Sequence, residues 1–214
     1  IGGQEYIQHD NNIRGLQMLR STVGQPWHSF CVVQADGVFQ SQQEIDNYIF
    51  NGSLIQPNAK PGDLKFKDVS GADGTPDGMI NDYDRVYSGS YTPDFYYGFN
   101  VSFDYKGFDL GLQFQGVSGN KIFNGFKLMT MEGTQGWNMS NDILNSWTYN
   151  DNSDIPRITN NDTNKNYGMA SDYFLEDGSY LRLKNITLGY TIPKVLLSRI
   201  GMPQSSIRFY GSME

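Results

Sequence analysis

Four stretches of the chain alternate apolar and polar residues with a period of two. Phe95, Tyr97, Phe99, Val101, Phe103 and Tyr105 share one side of an extended chain, opposite Tyr96, Gly98, Asn100, Ser102 and Asp104. After a turn at Lys106 and Gly107 the pattern resumes, with Phe108, Leu110, Leu112 and Phe114 opposite Asp109, Gly111, Gln113 and Gln115. This predicts an antiparallel hairpin with one strongly apolar side. A third run sets Ile186, Leu188, Tyr190 and Ile192 against Asn185, Thr187, Gly189 and Thr191, and a fourth sets Ile207, Phe209 and Met213 against Arg208, Tyr210 and Ser212. Upstream in the third run the phase breaks, because Leu181 and Leu183 are odd while Ile186 and Leu188 are even. A bulge near Lys184 accounts for the break. The alternative is a strand that passes from one environment into another.

The connections are unequal. Lys106 and Gly107 make a tight turn. Residues 193–204 are compact, and Val195 to Gly201 predicts one or two helical turns ended by the glycine. Residues 118–178 instead show no sustained period and are rich in Asn, Asp, Gly and Ser, which makes a long loop. Earlier, residues 27–40 read as a strand with a turn at Asp36 and Gly37. Ser41, with Glu44 three positions later, reads as the capping box of a short helix.

Short turns on one side and long loops on the other are the habit of outer-membrane β-barrels, whose strands need only about 10 alternating residues. Composition agrees: aromatic residues reach 14% and charged residues only 18%, against roughly 25% charged in ordinary soluble domains. A net charge of -7 argues against nucleic acid as a partner. There is no apolar run long enough for a membrane helix. Cys31 is alone, so no disulfide framework exists. The chain starts at Ile1 and stops directly after a strand-like run, as expected of a piece of a longer protein. Phe99, Val101, Leu110, Leu112, Leu188 and Ile207 are expected to face lipid, and Asn100, Gln113, Thr187 and Arg208 the lumen.

The segments GQPWHSF, ADGVFQSQQEIDNYI, PNAKPGDLKFKDVSG, DGMINDYDR, YYGFNVSFDYKGFDLGLQFQGVSGNKIFN and YFLEDGSYLRLKNITLGYTIPKVL resemble consecutive blocks near the C-terminus of SusC/RagA-type TonB-dependent transporters. The resemblance runs from about Gly24 to Ser212, and EDGSYLRLKNITLGY followed by Pro193 is its most specific part. It implies an all-β fold, with residues 1–214 as the C-terminal portion of an antiparallel transmembrane barrel of about 22 strands in the outer membrane of a Gram-negative bacterium. It also implies active import of oligosaccharides or peptides, a SusD-like surface lipoprotein as partner, and coupling to a TonB complex through an N-terminal part. The plug domain, the TonB box and the terminal barrel strand of that family are not in this chain.

The sharpest chemical motif runs from Asp73 to Asp84. Asp73, Thr75 and Asp77 offer side-chain oxygens at positions 1, 3 and 5, and Gly78 permits the turn at 6. Met79 offers its carbonyl at 7, Asn81 stands at 9 and Asp84 closes the frame at 12. Hard oxygens at this spacing suit a structural Ca2+. The competing reading is an ion-free acidic surface loop. Asp68 is a further candidate ligand, beyond which this chain carries an insertion relative to the family pattern. Trp137, Trp147 and Tyr149 either stack on substrate or contact the lipoprotein, or else pack a small core within the long loop. Glu176 and Asp177 are adjacent, so on an extended chain they point to opposite sides and do not form a glycosidase pair. His9 and His28 lie apart in sequence with no nucleophile pattern, which favours surface roles. No enzyme is expected. The competing architectures are a secreted, calcium-stabilised β-sandwich that binds carbohydrate and a passive porin lacking a plug.

Overall fold

The computed structural model describes residues 6–9, 12, 13, 15–134, 136–149 and 152–214. The chain divides into two units: Ile1–Tyr91 with Lys121–Asp177, and Thr92–Asn120 with Gly178–Glu214.

The second unit is the sheet predicted from the period of two. Phe95–Tyr105, Phe108–Ser118, Tyr180–Thr191 and Arg208–Met213 pair antiparallel in that order. Their register carries the alternation across the whole sheet. Val101, Leu112, Ile186 and Met213 form one cross-strand row, and Phe103, Leu110 and Leu188 form the next. Pairing shifts between Gln113, opposite Asn185, and Phe114, opposite Leu183, so Lys184 is the extra residue of a bulge. The bulge returns Leu183 to the apolar side beside Phe114, which explains the phase break in the sequence. The turn at Lys106 and Gly107 has both residues at positive φ, 49° and 92°. A Cβ at Gly107 would lie 2.6 Å from the Thr191 carbonyl, so that turn needs glycine twice over. At the other connection, helix Lys194–Arg199 ends with the Gly201 N–H on the Ser198 carbonyl and the Met202 N–H on the Leu197 carbonyl. With Gly201 at φ 82°, this is a Schellman cap.

The first unit is built from two chain segments. Tyr6–Gln8, Leu19–Thr22, Ser29–Val33 and Arg85–Ser90 form a second antiparallel sheet. One of its faces packs Leu19, Phe30 and Val32 with Met18 and with Ala170 from the other segment. A neighbouring cluster joins Val33, Val38, Leu64 and Phe66 to Trp147, and a third gathers Leu128, Met131, Tyr167 and Phe174. Residues 121–177 are therefore a working part of a core and not a free loop. They open and close on a short strand pair, Lys121–Phe123 with Leu175–Asp177. They hold a helix, Gly125–Thr130, whose N-cap Asn124 accepts the Lys127 N–H.

Two local expectations are corrected here. Asp36 and Gly37 do not turn the chain between two paired strands. They lie within strand Ala35–Val38, where pairing to Leu64–Phe66 shifts register, and Gly37 at φ 84° takes up the irregularity. Helix Gln42–Asp46 is capped by Ser41 as expected, but the Glu44 carboxylate accepts the N–H of Gln40 and not that of Ser41.

Candidate functional site

The sheet of the second unit has two chemically distinct faces. On one, Phe103 is 61% exposed, Leu188 56% and Phe209 65%, so among the described residues nothing covers this apolar surface. Tyr105, Phe108, Tyr190 and Phe209 form an aromatic row at the turn end. Toward the other end Phe99 and Phe114 stack at 4.6 Å. Phe99, Val101, Leu110, Leu112 and Leu188 share this face. Ile207 precedes the strand, and its carbonyl accepts the Ile192 N–H.

The opposite face aligns Asn100, Gln113 and Asn185, then Ser102, Gly111, Thr187 and Ser212. Below them the Arg208 guanidinium donates to the Asp109 carboxylate, with Nε 3.0 Å from Oδ1. The pair reaches across the strand between them because position 189 is glycine. A Cβ there would lie 2.5 Å from Asp109 Oδ1 and 2.8 Å from Arg208 Nη2. Sequence reasoning assigned Arg208 to this face without finding its partner.

In the acidic loop the carboxylates turn toward backbone N–H groups. Asp84 is fully buried. Its Oδ1 accepts from Val69 and Ser70 at 2.8 and 3.2 Å, and its Oδ2 accepts from Asn81 at 2.8 Å. Asp68 accepts from Asp77 and Gly78 at 3.3 and 2.7 Å. Asp73 stands apart, fully exposed, where first the N–H and then the hydroxyl of Thr75 hold its carboxyl below the usual range. Only part of the expected set converges. The Asn81 amide nitrogen lies 3.3 Å from Asp77 Oδ2 and 3.4 Å from the Met79 carbonyl. Among the described residues no group of three or more His, Cys, Asp or Glu is gathered to hold a metal. The donor chemistry suits a hard cation, and the arrangement is a self-capped turn.

The three aromatic candidates separate. Trp147 packs in the core cluster with Leu64 and Phe66, and its indole N–H donates to Gln40 Oε1 at 3.0 Å. Trp137 and Tyr149 are exposed at 52% and 65%. His9 and His28, distant in sequence, meet with ring centroids 3.7 Å apart, and Trp27 stacks on His28 at 5.1 Å. Glu176 Oε1 accepts from Asn124 at 2.7 Å, a structural role at the base of the segment.

A polar cluster went unread in the sequence. Asp63, fully buried, accepts from Arg157 Nε at 2.7 Å, Asn166 Nδ2 at 2.8 Å and the Lys60 N–H at 2.8 Å. Gln56 donates to Asn164 Oδ1 at 2.9 Å. These contacts tie the two segments of the first unit together.

No protein-family model matches the chain. TonB-dependent receptor P3 of Formosa agariphila is 32% identical over 200 residues, which make up 93% of this chain and 18% of the relative. TonB-dependent receptor P26 of the same organism is 29% identical over 215 residues, 99% of this chain and 20% of the relative. The chain thus spans about a fifth of the length of these curated relatives. Among solved structures, the RagAB peptide transporter matches with a TM-score of 0.68 at 22% identity, covering 99% of this chain and 20% of that chain. The RagAB peptide importer in its closed-closed state matches with a TM-score of 0.67 at 22% identity, covering 98% and 21%. Sequence relatives and fold agree with the resemblance read from the motifs: over nearly its whole length the chain is similar to curated TonB-dependent receptors, and it folds as an antiparallel β-barrel segment.

Proposed function

We propose that this chain supplies wall and outer loops to an active nutrient importer in the outer membrane of a Gram-negative bacterium. The observation that carries the reading is the two-faced sheet. A strand of 11 residues such as Phe95–Tyr105 runs ~37 Å at about 3.4 Å per residue and rises ~26 Å when tilted by roughly 45°, the height of the apolar band of an outer-membrane barrel. The exposed apolar face then meets lipid, and the face bearing Asn100, Gln113 and the Asp109–Arg208 pair lines the lumen. The cargo class is oligosaccharide or peptide, a SusD-like lipoprotein is the surface partner, and energy comes through a TonB complex. The β-sandwich alternative needs a second sheet over Phe99 and Leu188, and both are exposed.

Fractionation and uptake test the reading. The intact protein should require detergent for extraction, and its cargo uptake should stop when TonB is deleted. Recovery as a freely soluble protein would refute it. Trp137 and Tyr149 are the residues of the long segment proposed to meet lipoprotein or substrate. Because residues 121–177 build a core, point changes are the right probe. The double change Trp137→Ala and Tyr149→Ala should weaken lipoprotein co-purification or uptake while the barrel still inserts, and retention of both would remove the assignment.

For the acidic loop, the oxygen-rich spacing of Asp77, the Met79 carbonyl, Asn81 and Asp84 supports a structural calcium ion, which would have to displace the Asn81 amide N–H now donating to Asp77 and Met79 and the backbone N–H groups that Asp84 accepts. Thr75 and Asp73 would enter only after the loop tightens. Calcium should then raise the melting temperature of the intact protein and EGTA should lower it, with both effects lost in Asp77→Asn. An indifferent melting temperature would leave the loop as a self-capped turn.

A further inference from the structure

The sheet of the first unit has a polar face opposite its core. Its register places Tyr6 opposite Thr22, Gln8 opposite Arg20, Arg20 opposite Ser29, Tyr87 opposite Cys31 and Arg85 opposite Val33. Alternation therefore puts Arg20 and Arg85 on one face, flanking Cys31. That face walls a cavity of about 800 Å3, which Asp82, Tyr83 and Lys165 also line.

The charges around this cavity are unbalanced. Arg20 is 92% buried (8% exposed), yet among the described residues it meets only neutral groups. Its Nε donates to Gln8 Oε1 at 2.8 Å, its Nη1 lies 3.9 Å from Cys31 Sγ, and its guanidinium sits 4.4 Å from the Tyr6 ring centre. A buried guanidinium ordinarily has a carboxylate partner, and Arg20 has none among the described residues. Arg85 donates to the Gln17 carbonyl and pairs with Asp82 at 2.9 Å, but its buried Nε has no partner among the described residues. Lys165 makes no ion pair among the described residues. It is held at φ 60°, a costly conformation for a side-chain-bearing residue, because Asp162 accepts the N–H groups of Asn166, Tyr167 and Gly168 just beyond it. Among the described residues three cations thus face one cavity against a single acid, in a chain whose formal net charge is -7.

We propose that this cavity binds a carboxylate-bearing ligand, either the free C-terminus of a short peptide or the acid group of a uronic-acid oligosaccharide. A carboxylate matches the planar fork of Arg20 and the unspent Nε–H of Arg85, Lys165 adds a point charge, and Tyr6 and Tyr83 offer ring faces to the body of the ligand. The inference deepens the import reading and rests on it for the size and kind of cargo.

The test is calorimetric titration of the intact, detergent-purified protein with two matched probe pairs. One pair is a tripeptide free acid and its C-terminal amide. The other is a galacturonate trimer and a neutral galactose trimer. The acid of one pair should bind roughly ten- to a hundredfold more tightly than its neutral partner, the span expected of charge-assisted hydrogen bonds, and the pair that discriminates names the source. Lys165→Gln, on an exposed turn, should lower that preference about tenfold without unfolding the protein. Asp82→Asn, which removes the competing anion beside Arg85, should strengthen it. Equal binding within both pairs, or a preference untouched by Lys165→Gln, overturns the proposal. Uptake separates the two ideas. Import without acid preference leaves the importer and removes the site, whereas acid binding by a protein that neither inserts nor transports keeps the site and removes the importer.

Discussion

The two units solve opposite problems with the same kind of polypeptide. The first hides its apolar residues: Val32, Val33, Leu64, Phe66, Leu128 and Phe174 are all buried, and Asp63 and Asp84 are buried with full sets of donors. The second leaves Phe103, Phe108, Leu188 and Phe209 exposed while pairing its backbone continuously along four strands. One is organised by side-chain packing in water. The other is organised by backbone pairing and relies on its surroundings for its apolar side. The same alternation that would mark a soluble sheet's inner face marks, in the second unit, an exposed one.

Three experiments sharpen or break this contrast. The largest effect is expected at Asp63. Replacing it by Ala strands Arg157 and unties Asn166 and the Lys60 N–H, at a cost of about 3–5 kcal/mol to the first unit. Limited proteolysis should then cut within residues 121–177, while the heat-modifiable mobility of the barrel stays as in wild type. Joint loss of both would show that the units are not separately stabilised. Next, Leu112→Lys on the apolar face should cost roughly 2–4 kcal/mol in a lipid bilayer. Gln113→Lys, one residue along on the polar face, should stay within about 0.5 kcal/mol. Equal costs from denaturant titrations in vesicles would erase the distinction between faces. The smallest effect concerns Asp172, whose carboxyl is half-buried and accepts the Ala35 N–H at 2.7 Å. Burial pushes its pKa up, more than the Ala35 hydrogen bond pulls it down. The folded state then holds its proton more tightly than the unfolded chain, so stability falls as pH rises from the ordinary carboxylate range of about 4 through the raised value. Asp172→Asn should flatten that part of the stability–pH curve, and an unchanged slope would deny the burial effect.

The second unit was legible because its information is local and periodic. The break of phase between Leu183 and Ile186 located the bulge at Lys184, and the glycine after Arg199 and Ile200 located the helix end. The first unit was not, because its partners are remote. Gln56 meets Asn164 and Asp63 meets Arg157 across roughly a hundred residues, and no local pattern announces such pairs. For Trp147 the sequence favoured packing over a substrate role without naming what it packs against, and Leu64 and Phe66 are what surround it. In the acidic loop the spacing from Asp73 looked like a ligand frame. In the structure Asp73 accepts from Thr75, and Asp68 is the acceptor for the Gly78 N–H. Spacing reports which oxygens are available, and backbone geometry decides what they face.

The tie between Asp63 and Arg157 also imposes an order of events. Between them in the chain lies the entire hairpin Phe95–Tyr105 and Phe108–Ser118. The first unit therefore cannot close until that hairpin has been synthesised and both flanking segments have arrived. Contacts of such separation form slowly, because the loop entropy is lost before the contact rewards it. During assembly the earlier segment must wait with Leu64, Phe66 and Val33 uncovered, a window in which binding by a holding chaperone is most useful and from which misassembly is most readily reached.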